Sequence, residues 1–493
     1  MAESNTQDLE WLIIFLAYNN NYYDQDKKDT IDYYTMEEQI KYIRNQIRNV
    51  NYNPKVKAVL VEAQIKNIKK KRSEESIITA TISILHKAEG DWLPAVDHIW
   101  REGDEIDTLT NINRLEKILV RLKYKYKANR HIVITVGHGS IVGINYYIPG
   151  LKPKADRINN PVIETKVKAT HKNDKIVEKI IGPITNLIPS EFEIENDKKL
   201  LFLSNQEIFE VLNRVFQPNK IDVLVMYNCL MQNIFTQFEL RNGVEWLVAP
   251  LSGISIPGFN YKAVVNKISE NPETISSAEV AALFIQTINK GNNYRKYKED
   301  IEGTWKITAE KLNKEHLESV YEKLNNFFQL VYDLSQTDNR IIYCLYETGR
   351  FLFNYSNYCL PSIRVIDLGV FLAYLKDKII REYNSFDVLI PQIDELQKIT
   401  NPTQRKIVYF KGANFYNKDG DINYKEHNEL FESTIANTAL FFPLLQFESN
   451  LLDFIYNEDL YKDRDGKNKY KIPQFLKDFS YGSILKKIRN LPD

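Results

Sequence analysis

The chain has few of the residues that bind metals or form cross-links, and it has no excess of charge. Its 493 residues include three cysteines and seven histidines, and Lys+Arg and Asp+Glu both number 65. Three scattered cysteines (Cys229, Cys344 and Cys359) are too few for a disulfide framework or a zinc cluster, and they suit a reducing compartment. The balanced charge gives no electrostatic reason to expect a nucleic acid or an anionic membrane as partner. We therefore predict a protein without a metal or another cofactor.

Long hydrophobic runs are also missing. The apolar run from Trp11 to Ala17 is too short for a membrane span or for the core of a signal peptide, and no basic segment precedes it. Hydrophobic residues nevertheless make up 43% of the chain and aromatic residues 12%, which is enough to build sizeable cores. These features predict a cytoplasmic globular protein with no membrane partner.

Strand-like runs alternate with amphipathic helical patterns through the first half of the chain. Such alternation predicts an α/β fold: a mostly parallel sheet with helices on both faces. From about residue 262 long helical patterns dominate, at 275–290, 308–335 and 365–382. No Gly/Ser/Pro-rich linker separates the halves. We predict a core over residues 1–265 and an α-rich region over 266–493 that packs on it.

Two of the predicted strands end at residues that can do chemistry. The run HIVITVGHGS ends on His138 and Gly139, and the run IDVLVMYNCLMQN ends on Cys229. Sites in parallel sheets form where the strands have their carboxyl ends. If the two strands are neighbours, they bring an imidazole and a thiol to the same edge of the sheet.

This pair has the chemistry of a nucleophile with its base. A cysteine reacts as its thiolate, so it needs a nearby base or a lowered pKa. His138 can move a proton in the neutral range, and a helix predicted over 230–241 places Cys229 at a helix N-terminus, which favours an anion. The amides of Gly139 and Cys229 are candidate oxyanion donors. The pattern alone leaves the plainer alternatives open: a buried cysteine that packs as a small hydrophobe and a simple His-Gly turn.

The ordered set of motifs resembles the clostripain-like cysteine peptidases, which share the caspase and gingipain fold. Four segments carry the resemblance, in the order and at the spacing of that family over residues 10–265: WLIIFLAYNNN, GDEIDTLTNINRLEKIL with HIVITVGHGS, IDVLVMYNCLMQNIFTQFELRN, and VEWLVAPLSGISIPGFNY. The resemblance implies a cysteine-type endopeptidase in which His138 is the general acid/base and Cys229 the nucleophile. It also implies that Gly139 and Cys229 supply the oxyanion donors.

The pocket for the substrate residue before the cleaved bond, the P1 residue, departs from that family. The family's acid two residues before the cysteine is here Tyr227, and the segment from Pro250 to Pro257 contains no acid. We expect Tyr227, Asn228, Leu251 and Ser252 to contact the substrate. An unpaired buried cation is heavily penalised, so these residues predict an apolar, small or otherwise non-basic P1 residue.

The resemblance also implies control by cleavage in the Lys-rich segment 150–200, between the catalytic strands. The alternative is an intact enzyme that a partner or ligand switches on. The leading hypothesis is an intracellular endopeptidase that performs limited proteolysis of a protein or peptide partner. A catalytically silent regulatory or scaffolding protein is the alternative, and nucleic-acid binding has only the basic segment in its favour.

Overall fold

The structure of the protein is a computed structural model. The described residues are 8–20, 36–51, 53–69, 76–88, 91–99, 109, 112–140, 143–146, 201–251, 258–287, 306–355, 359–360, 365–401, 407–412, 436, 438–441, 479–489 and 491.

Fifteen strands occur within these residues. They are β1 (Leu9–Asn20), β2 (Val56–Lys69), β3 (Ser76–Ala88), β4 (Asp91–Ile99), β5 (Ala128–Val136), β6 (His138–Ser140), β7 (Gly143–Tyr146), β8 (Leu201–Ser204), β9 (Ile221–Tyr227), β10 (Val244–Pro250), β11 (Lys306–Lys311), β12 (Cys359–Leu360), β13 (Val365–Asp367), β14 (Ile407–Gly412) and β15 (Ala439–Phe441).

Eleven α-helices and a 3₁₀ helix (Asn384–Leu389) occur in the same described part of the chain. The α-helices are α1 (Met36–Arg48), α2 (Ile112–Lys125), α3 (Asn205–Phe216), α4 (Ile234–Leu240), α5 (Tyr261–Glu270), α6 (Ser277–Gln286), α7 (Lys314–Thr337), α8 (Arg340–Tyr355), α9 (Leu368–Glu382), α10 (Ile390–Thr400) and α11 (Phe479–Arg489).

Nine strands form one sheet in the order β14-β11-β10-β9-β5-β1-β2-β3-β4. The five central strands, from β10 to β2, are parallel to one another, whereas both edges of the sheet are antiparallel. The predicted mostly parallel sheet is thus confirmed at its centre. Two small three-stranded sheets, β6-β7-β8 and β12-β13-β15, lie outside it.

Alternating side chains of the central strands build two cores on opposite faces of the sheet. In β1, Leu12 and Ile14 belong to one cluster, and Ile13 and Phe15 belong to the other. Period-two alternation requires this division, because successive side chains of a strand point to opposite faces. The first cluster includes the buried faces of α2, α3 and α7, and the second includes those of α1, α5 and α6. The predicted helices on both faces are therefore confirmed.

The region beyond residue 265 contributes to the sheet itself. Strands β11 and β14 extend the sheet beyond β10, so segments from both sides of residue 265 belong to the same sheet. The helix predicted over 308–335 begins only at Lys314, because residues 306–311 pair with β10 as a strand. The correction has a physical cause: long-range pairing decides a short segment whose local pattern is ambiguous.

No helix within the described residues is both long enough and apolar enough to cross a membrane.

Candidate active site

Strands β5 and β9 are parallel neighbours, as the sequence predicted. Val136 lies opposite Tyr227 in the register, and the Gly137 amide donates a hydrogen bond to the Tyr227 carbonyl at 3.3 Å. Both strands end here, so the residues that follow them leave the sheet at the same edge. This register places the His138 and Cys229 segments side by side.

The backbone of His138 is held in a short strand and not in a turn. Residues His138 and Gly139 pair with Asn145 and Ile144 of β7, and β7 pairs in turn with β8. β8 leads directly into α3, whose first turn is closed by a capping box between Ser204 and Glu207. The small sheet thus fixes the path of the chain through His138. The position of its imidazole lies outside the described part of the structure.

Gly139 lies against the backbone of Cys229. A Cβ atom added at Gly139 would be 2.4 Å from the Cys229 carbonyl oxygen and 2.9 Å from its nitrogen. Only a residue without a side chain allows this approach. The contact brings together the two peptide segments that the sequence analysis selected as oxyanion donors. Their role as donors stays a prediction.

Cys229 is partly buried, is not in a disulfide, and packs against the core cluster that contains α3. The structure corrects its expected relation to a helix. Helix α4 begins at Ile234 and is capped by Asn233, whose side chain accepts a hydrogen bond from the Thr236 amide at 2.9 Å. Cys229 therefore precedes the helix by a loop, and the predicted effect of a helix N-terminus on its thiol is not supported.

The loop after Cys229 contains a residue in a conformation that side chains disfavour. Leu230 is buried and has a φ of 66°, in the left-handed region. A non-glycine residue there is strained and persists only where its surroundings hold it. Asn233 provides one such constraint, because its side-chain amide donates to the Leu230 carbonyl at 2.6 Å. The chain turn immediately after the candidate nucleophile is thus held in a single form.

A buried carboxylate on strand β11 accepts hydrogen bonds from this loop and from helix α4. Glu310 of β11 is 2% exposed and accepts hydrogen bonds from the side-chain amides of Gln232 at 2.9 Å and Gln237 at 3.2 Å. The Gln232 backbone amide also donates to the Pro250 carbonyl at 2.8 Å. The sequence analysis missed this network. Its signal is the two glutamines among the apolar residues of the segment LMQNIFTQF, which need a polar partner when they are buried.

Asn228, expected to contact the substrate, is instead fully buried with its side chain toward β5. Its amide nitrogen donates to the Gly137 carbonyl at 3.1 Å, and its oxygen accepts from the Thr135 hydroxyl at 2.5 Å. Thr135 is the single hydroxyl in the apolar run IVITV, which could have indicated a buried hydrogen-bond partner. The pair was missed because the partner lies 93 residues away.

Tyr227, also expected to contact the substrate, is buried in the core on one face of the sheet. It is 1% exposed, and its ring lies 5.8 Å edge-to-face from the ring of Phe259. Gly258 covers the same ring, since a Cβ atom there would be 2.1 Å from Tyr227 Cε2, and its φ of +67° also favours glycine. The cluster around Tyr227 consists of buried apolar side chains on the α5 and α6 face of the sheet.

The remaining predicted contacts are only partly described. Leu251 is 6% exposed at the end of β10, and Ser252 lies outside the described residues, as does the segment 150–200. Within the described residues, no group of three His, Cys, Asp or Glu side chains could hold a metal ion. Cys344 is a second free thiol. Burial raises its pKa to about 12, so it is not a competing nucleophile at neutral pH.

Two solved structures are similar to this chain over most of its length. Among solved structures, an inactive zymogen of a C11 protease from Parabacteroides distasonis is 9% identical, covers 88% of this chain and 92% of its own, and has a TM-score of 0.44. A secreted C11 cysteine protease from Bacteroides thetaiotaomicron is 10% identical, covers 87% and 99%, and has a TM-score of 0.43. A search of curated proteins gave no significant match.

The family comparison is more direct. Residues 193–437, about half of the chain, match the model of the peptidase C11 or clostripain family. The matched segment includes Cys229 and the Glu310 network, and His138 precedes it. The chain belongs to the clostripain family of cysteine-type endopeptidases.

Proposed function

We propose that this protein is an intracellular cysteine endopeptidase that uses Cys229 as nucleophile and His138 as general acid/base. The observation that carries the proposal is the contact between Gly139 and the Cys229 backbone, together with the parallel pairing of β5 and β9. These two features support the proposal because they bring the backbone segments that contain His138 and Cys229 to one edge of the sheet. Neither Cys229 nor Cys344 is in a disulfide, which supports the proposed reducing compartment.

The reaction follows from the roles of the two side chains. His138 first takes the thiol proton of Cys229. The Cys229 sulfur then attacks the carbonyl carbon of the peptide, and the amides of Gly139 and Cys229 stabilise the resulting oxyanion, an effect worth about 3–4 kcal/mol per donor. His138 gives a proton to the leaving amine, so the C–N bond breaks and a thioester forms. Water then attacks the thioester while His138 takes its proton, which releases the acid product and the thiol.

A covalent probe tests the catalytic pair. We expect a cysteine-reactive peptide ketone to add once to the wild-type protein, and not to Cys229→Ala or His138→Ala, in intact-mass measurements. Cys344→Ala is the matched control and should be labelled like the wild type, because that thiol is buried. An unlabelled wild type, or a labelled Cys229→Ala variant, would favour the silent regulatory or scaffolding protein instead.

The environment of Tyr227 supports a non-basic P1 residue. The Tyr227 ring occupies the position of the family's acid and lies in an apolar cluster under Gly258. An Arg or Lys side chain placed beside this cluster would lose hydration without gaining a carboxylate there. The preferred peptide is therefore apolar or small at P1.

A panel of fluorogenic peptides that differ only at P1 measures this preference. We expect kcat/KM for Ala, Ser or Leu at P1 to exceed that for Arg or Lys at least tenfold. Tyr227→Phe, which keeps the ring, should leave the ranking of the peptides unchanged. Tyr227→Asp should raise the relative rate for Arg, provided that its circular dichroism spectrum shows a folded protein. A wild-type preference for Arg at P1 would refute the proposal.

Control of the activity is the remaining part of the proposal. We propose that the activity is controlled either by self-cleavage in the segment 150–200 or by an activating partner or ligand that acts on the intact chain. If the pocket rejects basic residues, the many lysines of this segment are poor self-cleavage sites, which favours the partner. Intact masses of the wild type and Cys229→Ala after prolonged incubation distinguish the two: equal full-length masses contradict self-cleavage.

A further inference from the structure

We propose that Asn228 is a positioning residue that sets the spacing between His138 and Cys229. The proposal rests on the proposed function, since it takes these two residues as the catalytic pair. Asn228 is 0% exposed, so it does not contact solvent, and its side chain is directed to the neighbouring strand β5. It is bonded covalently to Cys229, so any fixed contact that it makes is also a constraint on the nucleophile.

The side chain of Asn228 forms hydrogen bonds with two residues that precede His138, Thr135 and Gly137. It accepts a hydrogen bond from the Thr135 hydroxyl and donates one to the Gly137 carbonyl. The Gly137 amide, in turn, donates to the carbonyl of Tyr227, the residue before Asn228. Three hydrogen bonds therefore join the ends of β5 and β9 in the last residues before the catalytic positions.

Asn228 also contacts the chain beyond His138. A Cβ atom added at Gly139 would be 2.8 Å from Asn228 Cβ, and one added at Gly137 would be 3.6 Å from its Nδ2 atom. The residues on both sides of His138 thus lie against a single buried side chain. Movement of the His138 backbone relative to Cys229 requires these contacts to break.

An amide suits this position because it must accept and donate at once. Asparagine accepts from a hydroxyl through its oxygen and donates to a carbonyl through its nitrogen. An apolar side chain of similar size satisfies neither partner and leaves the buried Gly137 carbonyl and Thr135 hydroxyl to find other partners. Such a change removes the constraint without touching the substrate.

The test combines Thr135→Val, Asn228→Leu and the double variant in the full-length protein. Thr135→Val removes one hydroxyl at almost constant shape, and Thr135 is 2% exposed. The matched control is Thr308→Val, a fully buried threonine of the same sheet whose hydroxyl has no hydrogen-bond partner among the described residues. Each variant is assayed for kcat, KM, melting temperature and the pH dependence of Cys229 alkylation by iodoacetamide.

We expect Thr135→Val and Asn228→Leu to lower kcat about tenfold or more with KM within twofold of wild type, as misplacement of catalytic groups does. Both should change the pH profile of alkylation, which a loss of stability alone would not do. The double variant should be no worse than Asn228→Leu, because both changes break the same link. If Asn228→Leu does not fold, Thr135→Val with its control still decides.

Two results overturn the proposal, and they are distinguishable from failure of the proposed function. Folded Thr135→Val with the kcat and alkylation profile of wild type would show that the link does not position the pair. An effect confined to KM would mean that Asn228 acts on substrate binding. A wild type that neither turns over peptides nor is labelled at Cys229 would instead refute the proposed function, and this inference with it.

Discussion

At Gly139 the chain has no room for a side chain, which makes this residue a sensitive test of the site. The added Cβ atom would meet backbone atoms of Cys229, which cannot move aside as the end of a flexible side chain can. Relief requires the His138 segment or the Cys229 loop to shift. Either shift changes the distance between the His138 and Cys229 segments, whose side chains exchange a proton in the proposed mechanism.

We expect Gly139→Ala to lower kcat/KM about 100-fold or more, since a displacement of about 1 Å has that effect on positioned groups. Steady-state kinetics with the best peptide of the P1 panel measures the loss. Gly243→Ala is the control, because the nearest atoms to its Cβ atom would belong to side chains, the Phe209 ring at 3.2 Å and Asn213 Cβ at 3.8 Å. A Gly139→Ala enzyme as fast as wild type would show that the close approach is not needed for catalysis.

At the scale of elements, strand β11 connects the C-terminal half of the chain to the loop that follows Cys229. Its Glu310 accepts hydrogen bonds from Gln232 and Gln237, which lie on either side of the start of α4. Short helix α4 cannot be stable alone, so its place depends on these tertiary contacts and on the Asn233 cap. Strand β11 thus supports the candidate site in addition to covering β10.

We expect Glu310→Ala to lower the free energy of unfolding by about 3 kcal/mol, because it leaves two buried amide donors without their acceptor. Glu310→Gln keeps an acceptor oxygen and should lose less. Urea unfolding followed by tryptophan fluorescence measures both. The control is Glu245→Ala, whose partly exposed ion pair with Lys311 is worth at most about 1 kcal/mol. Equal losses for Glu310→Ala and the control would contradict the anchoring role.

At the scale of the whole molecule, a buried histidine at the opposite end of β5 links stability to pH. His131 is 4% exposed, with its Nε2 atom unpartnered within the described residues, and its ring packs on Phe216. Burial, with a smaller contribution from Lys123, lowers its pKa to about 4. In the unfolded chain the same group has a pKa of about 6.5, so it takes up a proton there first.

The sign of the effect follows from proton uptake. Between about pH 6.5 and pH 4 the unfolded chain binds more protons at this residue, so stability falls as the pH is lowered through that window. We expect the contribution of His131 to cost about 2 kcal/mol between pH 7.5 and pH 5, and His131→Leu should lack it. Urea unfolding of both proteins at the two pH values measures the difference.

The nearby Asp222 does not obscure this comparison. Burial raises its pKa, and it accepts a hydrogen bond from the His131 amide, a backbone group that the variant retains. Its effect is therefore common to both proteins. The same fall in stability for the wild type and His131→Leu would show that His131 is not the group responsible.

The sequence by itself determined the central sheet and the proximity of the segments that contain His138 and Cys229. The runs that lead to these two residues form strands β5 and β9, since continuous apolar, β-branched runs specify buried strands through local pattern alone. Parallel strands have their carboxyl ends at one edge, so the proximity of the His138 and Cys229 segments also followed. The start of α4 did not follow, because Leu230 adopts a conformation that no local preference indicates.

Only the tertiary structure decided which residues connect the His138 and Cys229 segments and which residues surround the Tyr227 ring. Asn228 reaches Thr135 across 93 residues, Gln232 reaches Glu310 across 78, and Gly258 covers the Tyr227 ring. Each is a contact between distant segments whose separate patterns contain no information about their pairing. Periodicity predicts which face of a strand is buried, whereas the partner of a buried polar group depends on the register and packing of the complete sheet.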